Sequence, residues 1–181
     1  MANPHNEKTF LVITAVGPDR PGIVSELSAT IHGVGANLED SRMAALGGEF
    51  AVLLLASGTE DALGRLEQRL AESEAALGLR LLVKRTTAPR PDRRVLPYSI
   101  RVSGFDRPGI VQAVTGTLAR RGVNVRALES RLAYAPHSGT PLFVLNAELD
   151  VPSELTLSEL RRELSAKCEE ENLDLSFESI G

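Results

Sequence analysis

Asp19-Arg20-Pro21-Gly22-Ile23-Val24 recurs, residue for residue, as Asp106-Arg107-Pro108-Gly109-Ile110-Val111. The offset of 87 residues holds on both sides of the motif: Ile13 matches Ile100, Gly17 matches Gly104, Thr30 matches Thr117, Gly35 matches Gly122 and Asn37 matches Asn124. Ser41-Arg42 then matches Ser130-Arg131 at an offset of 89, so two residues were inserted in between. Six identities at constant register with flanking matches indicate a duplication, and the elements read from one copy must serve for the other.

Around the first motif, Phe10 to Val16 is a short apolar run rich in β-branched residues and reads as a strand. Pro21 sits where a helix accepts its first residue, and Ile23, Leu27, Ile31 and Val34 follow at helical spacing until Gly33 and Gly35. Leu38 to Leu46 and Phe50 to Ala56 flank Gly47-Gly48 as a hairpin. Leu63, Leu66, Leu70 and Leu77 mark a second helix closed by Gly78, and Leu79 to Lys84 is the last strand. The second copy repeats the order. Tyr98 to Ser103 is a strand, and Ile110, Val114 and Leu118 line a helix that ends near Gly122. Asn124 to Tyr134 and Leu142 to Leu149 form a hairpin, with a longer connection from Ala135 to Pro141. Thr156 with Glu159 suggests a capping box ahead of the stripe Leu157, Leu160, Leu164 and Cys168. Leu173, Leu175 and Phe177 alternate with polar residues as a half-buried strand. The expected class is α+β: two ferredoxin-like β-α-β-β-α-β domains, each an antiparallel four-stranded sheet with two helices on one face. The expected bounds are residues 9–85 and 97–180, with 86–96 as a Pro-containing surface linker. Domains of this size bury little surface alone, so dimerisation or another homo-oligomer is expected.

The formal net charge of −4 argues against direct nucleic-acid binding, and the short basic clusters at Arg90, Arg93 and Arg94 and at Arg120 and Arg121 read as solvated surface. The polar stretch Met1 to Lys8 lacks a signal-peptide core, the longest apolar run is far too short to span a bilayer, and the single Cys168 fits a reducing compartment. The expectation is a cytoplasmic protein without membrane contact. His5, His32 and His137 have no metal-ligand spacing around them, Cys168 falls on an apolar stripe, and no nucleophile or phosphate-loop motif is present. No metal, no cofactor and no catalytic residue is expected.

The duplicated loop is the site candidate. A helix N-terminus offers free N–H groups and a partial positive charge, and Gly22 or Gly109 lets a carboxylate or phosphate approach the backbone. Asp19 and Asp106 can cap the helix or accept from an ammonium group. Asn37 and Asn124 carry both donors and acceptors, as a zwitterionic amino acid requires, but come near the loop only if the chain folds across. The same turn is also a sound helix start with no ligand at all, which leaves a pure protein-interaction module open. Arg20 with Asn37, or Arg107 with Asn124, superficially resembles the acylphosphatase pair, although a loop proline removes an N–H that a phosphate cradle would use.

From about residue 9 to 180 the chain resembles a tandem pair of ACT domains. The resemblance rests on Gly17-x-Asp19-Arg20-Pro21-Gly22-Ile23-Val24 with Gly35-x-Asn37, and on Gly104-x-Asp106-Arg107-Pro108-Gly109-Ile110-Val111 with Gly122-x-Asn124. It implies amino-acid binding at domain interfaces through Asp19, Arg20, Pro21, Gly22, Ile23 and Asn37, and through Asp106, Arg107, Pro108, Gly109, Ile110 and Asn124. With no room for a catalytic domain, it implies a regulator rather than an enzyme, responsive to glycine or a similar small amino acid and acting through a partner transcription regulator. Pro18 stands where the second copy has Phe105, directly before the key Asp, which sets the two copies apart.

Overall fold

The computed structural model describes residues 8–88, 94–134 and 139–180. The middle of the expected linker, most of the Ala135 to Pro141 connection, and His5 and His137 lie outside the described residues. Two compact units are present, residues 1–90 and 91–181. The first runs β1 (Thr9–Pro18), α1 (Ile23–Gly33), β2 (Asn37–Leu46), β3 (Glu49–Gly58), α2 (Glu60–Leu77) and β4 (Arg80–Thr86). The second runs β5 (Val95–Phe105), α3 (Ile110–Arg120), β6 (Asn124–Tyr134), β7 (Pro141–Pro152), α4 (Leu157–Glu170) and β8 (Leu173–Ser179). Their sheets have the orders β2-β3-β1-β4 and β6-β7-β5-β8, with every neighbouring pair antiparallel. This is the ferredoxin-like α+β arrangement read from the repeat.

Each core fills the space between one sheet face and the two helices. In the first unit, Leu11, Ile13 and Ala15 alternate inward from β1 and meet Ile23, Leu27 and Ile31 of α1 and Leu63, Leu66 and Leu70 of α2. In the second, Ile100 and Val102 meet Ile110, Val114 and Leu118 of α3 and Leu160, Leu164 and Cys168 of α4. Each such leucine contributes roughly 1.5–3 kcal/mol by leaving water. The Gly47-Gly48 hairpin forms as read, both glycines having positive φ (62° and 85°), the requirement of a tight two-residue turn.

Two helix starts differ from the sequence reading. Pro21 is not the first helical residue: Gly22 is the N-cap, at φ 96° and ψ −15°, and α1 begins at Ile23. Gly109 repeats this at φ 97° and ψ −6° before Ile110. Proline followed by a glycine at those angles is the preferred content of a type II turn, and that local preference overrides proline's liking for a helix start. Thr156 is the N-cap of α4 as expected, but its side chain makes no capping bond. The side-chain cap lies instead on α2, where Thr59 Oγ1 accepts from Ala62 N.

The repeated Gly17 and Gly104 have a packing reason. A Cβ on Gly17 would stand 2.6 Å from the Gly78 carbonyl oxygen, and one on Gly104 would stand 2.6 Å from a Leu173 methyl and 3.0 Å from the Asn172 oxygen. The central strand thus presses on the turn into the last strand in both units. Gly17→Ala should lower unfolding free energy by about 1–3 kcal/mol. Gly104→Ala should cost less, because its closest obstacle is a methyl that can rotate. Urea melts followed by circular dichroism check this; equal losses, or the reverse order, would contradict it.

Candidate functional site

The two motif loops are built alike. Each leaves the central strand, passes through the Pro-Gly turn and hands its glycine carbonyl to the first helical bond: Glu26 N to Gly22 O and Ala113 N to Gly109 O, both 2.9 Å. Neither helix has a side-chain cap at its start, so the first-turn N–H groups stay open. Asp19 and Asp106 are exposed and do not cap the helices; their carboxylates make no hydrogen bond among the described residues. Ile23 and Ile110 are buried and anchor the loops, so only their backbone is on offer. In the first unit the loop, with Met43 and Phe50, lines a cleft of about 260 Å³, below the size of a drug-sized pocket. The Asp19 N–H also donates to Gly48 O at 3.0 Å, which ties the loop to the hairpin turn.

The loop arginines have a partner that sequence reading missed. Arg20 Nη2 donates to the carbonyl of Leu77, the last residue of α2, at 3.2 Å, and Arg107 donates to the carbonyl of Glu171, the C-cap of α4. Both guanidinium groups therefore sit at the negative end of the second helix, where orphan carbonyls collect. The accompanying carboxylate differs. Arg20 is held by Glu26 in two 2.7 Å bonds, whereas Ala113 stands at the equivalent place in the second unit and Arg107 pairs with Glu171 itself. The bond from Arg20 holds the Glu26 carboxyl below its ordinary range.

The asparagines lie elsewhere. Asn37 opens β2 and pairs across the sheet with Ser57, which in turn pairs with Phe10 at the start of β1. Asp19 follows Pro18 at the other end of the same strand. From Phe10 to Pro18 is eight steps along the strand, about 26 Å at the usual rise. Asn124, Asp150 and Pro97 stand in the same relation to Phe105 and Asp106. Within one unit the loop and the asparagine are thus at opposite ends of the sheet. The Arg–Asn pairing of an acylphosphatase site does not form in either unit.

Each asparagine has a carboxylate beside it. Asn37 Nδ2 donates to Glu39 at 3.1 Å, and Glu39 also accepts from Ser57 and Lys8. Asn124 Nδ2 donates to Asp150 at 3.2 Å, and Asp150 also pairs with Arg126. Glu39 and Arg126 are equivalent positions, each the extra residue of a β-bulge that the strand register skips. The acid moved from the bulge in one copy to the neighbouring strand in the other. Among the described residues, Asn37 and Asn124 each keep a side-chain oxygen free to accept.

Elsewhere, His32 is exposed and, among the described residues, no group of His, Cys, Asp and Glu converges as a metal set. Cys168 is buried, and burial pushes its thiol up, away from nucleophilic use. Among the described residues no helix is long and apolar enough to cross a membrane.

Comparison with known proteins identifies the two units. The ACT domain model matches residues 9–84 and, in a second form, residues 98–164. The chain belongs to the ACT-domain family. As a tandem ACT protein it is 34% identical over 174 residues to the glycine cleavage system transcriptional repressor of Escherichia coli, covering 94% of this chain and 90% of that one. Among solved structures it resembles an unknown protein from Galdieria sulphuraria at 32% identity, a TM-score of 0.80 and coverage of 97% and 100%. Another, named for the glycine cleavage system transcriptional repressor, aligns at 29% identity and a TM-score of 0.72, covering 96% of this chain and 98% of that one.

Hydrogen bonds from Lys8, Ser57 and Asn37 lower the Glu39 carboxyl to about 2, from an ordinary value of 4.5. Because the folded value is depressed, the contribution is present above pH 4.5 and is lost as pH falls through about 2. Glu39→Gln should therefore flatten the pH dependence of stability between those values and leave it unchanged at higher pH. Carboxyl NMR titration supplies the check, and a Glu39 midpoint near 4 would contradict it.

Proposed function

We propose that this chain is an amino-acid-binding regulatory protein that responds to glycine or a similar small amino acid and controls transcription through a protein partner. The observation that carries the reading is the loop shared by both ACT units: an uncapped helix start beside a carboxylate that has no partner among the described residues. The chain-long similarity to a transcriptional repressor supplies the regulatory context. In this reading the N–H groups of the first helical turn at Ile23 or Ile110 receive the ligand carboxylate, with Gly22 or Gly109 admitting it to the backbone. Asp19 or Asp106 accepts from the ammonium group, and Asn37 or Asn124, with its neighbouring carboxylate, supplies further acceptors. Arg20 and Arg107 hold the loop in shape from the second helix rather than touching the ligand, and Pro21 and Pro108 fix the turn.

Because loop and asparagine lie about 26 Å apart in one unit, a small ligand that touches both must be shared between this chain and a second copy of it. Such a ligand stabilises whichever assembly brings those ends together, and its differential affinity for that assembly is the regulatory signal. A transcription regulator that distinguishes the two assemblies then receives the signal, with no direct contact between this chain and nucleic acid. The reading goes with a cytoplasmic setting.

One observation favours a second reading, a protein-interaction module without a ligand. The loop arginines cap the second helix in both copies, so part of the motif has a structural use of its own.

Thermal unfolding against a panel of free amino acids tests the proposal. A selective ligand at 100 times its Kd adds about 2.7 kcal/mol, an upward shift of roughly 5–10 °C for a chain of this length. The shift should disappear in the Asp19→Ala, Asp106→Ala double variant while unfolding stays cooperative. A full shift in that variant would sink the site assignment, and no shift with any amino acid would favour the interaction module.

A further inference from the structure

The two sheets share a fold but not the chemistry of the face away from the helices. Cross-strand register sets Asp40, Leu55, Val12 and Lys84 in one row across the first sheet, and Arg42, Leu53, Thr14 and Leu82 in the next. Leu53 is 48% exposed and Leu82 68%. The equivalent rows of the second sheet read Ala127, Glu148, Ser99, Glu178 and Glu129, Asn146, Arg101, Ser176. A sheet face left in water carries polar side chains. These two rows of the second sheet obey that rule, its open-face apolar residues Val144, Leu142 and Phe105 lying towards the motif-loop end, and the equivalent rows of the first do not.

We propose that the open face of the first sheet is a homodimer surface, packing on the same face of a second copy about a two-fold axis that runs along the strands. Such an axis keeps each row at its level and reverses the strand order, so β2 lies over the partner's β4 and β3 over the partner's β1. Asp40 then meets the partner's Lys84, and Leu55 meets the partner's Val12, each contact occurring twice. Lys84 has no ion-pair partner among the described residues, and Asp40, although paired with Arg42, keeps a side chain 60% exposed. A two-fold axis across the strands through the Thr14 row would set Lys84 against the partner's Arg80 and Arg42 against the partner's Arg42. Like charges opposed in this way repel, so the row charges select the first arrangement. Sheets packed face to face lie about 10 Å apart with strands near −30°, which lets apolar rows interdigitate. The equivalent rows of the second sheet, with their carboxylates and Arg101, offer no apolar match. The proposal stands independently of any ligand.

Sedimentation equilibrium of the full chain provides the test, with circular dichroism to show that each variant folds. A dimer is expected. Leu53→Glu should give a monomer, and Arg101→Glu on the second sheet should leave the dimer intact. Asp40→Lys and Lys84→Glu should each raise the dimer Kd by about tenfold or more. The double variant, which restores opposite charges across the axis, should bind more tightly than either single one. A wild-type monomer would overturn the proposal. So would a dimer indifferent to Leu53→Glu, or a double variant no tighter than the singles.

Discussion

In each unit the first strand, β1 or β5, is one of two interior strands hydrogen-bonded on both sides, and its double pairing is the constraint on which the rest depends. A strand held by two neighbours cannot slide, because a one-residue slip would turn its buried side chains to the wrong face. Its length therefore fixes the distance between the motif loop at one end and the asparagine row at the other. It also brings Gly17 and Gly104 against the turn into the last strand, where a Cβ would come too close to its neighbours. The Pro-Gly turn follows, with Gly22 and Gly109 at positive φ, and aims the next helix back across the sheet. Neither half of the candidate site can be moved without breaking this frame.

What the duplication kept and what it let go are instructive together. Both copies keep the turn, the uncapped helix start, the aspartate without a partner among the described residues, the arginine on the second helix's last carbonyls and the bulge after the asparagine. The charges that serve these positions were redistributed. Arg20 leans on Glu26 and Arg107 on Glu171; the acid beside the asparagine comes from the bulge at Glu39 in one copy and from the next strand at Asp150 in the other. Backbone geometry persisted while its electrostatic partners changed places, as expected where a position demands a charge nearby but not a particular neighbour.

Much of this was legible in the sequence. Strong helical spacing, as in Leu63, Leu66 and Leu70, and the Gly47-Gly48 hairpin gave the elements, and the repeat gave their order twice. The misses have physical causes. Pro21 was read as a helix start because proline suits both that place and a type II turn, and only the following glycine decides between them. Thr156 stands at a helix start without bonding, whereas Thr59, not noted from sequence, caps α2. The contacts of Arg20 with Leu77 and Arg107 with Glu171 span 57 and 64 residues and leave no periodic trace. The run Phe50 to Ala56 reads as a strand, but apolar residues at every position do not show that Leu53 faces away from the core. The separation of asparagine and loop emerges only once the strand register is known.

That separation makes the proposal sharp: an amino acid that touches both loop and asparagine cannot do so within one unit, so a second copy of the chain must complete its site. The most direct measurement is an NMR titration of the full chain with the amino acid selected by thermal unfolding, following the backbone N–H groups of Gly22 and Gly109 and the side-chain amides of Asn37 and Asn124. The account predicts that a loop signal and an asparagine signal move together and saturate with the same Kd, although about 26 Å separates them in any one unit. Movement of only one set, or different Kd values for the two, would contradict it.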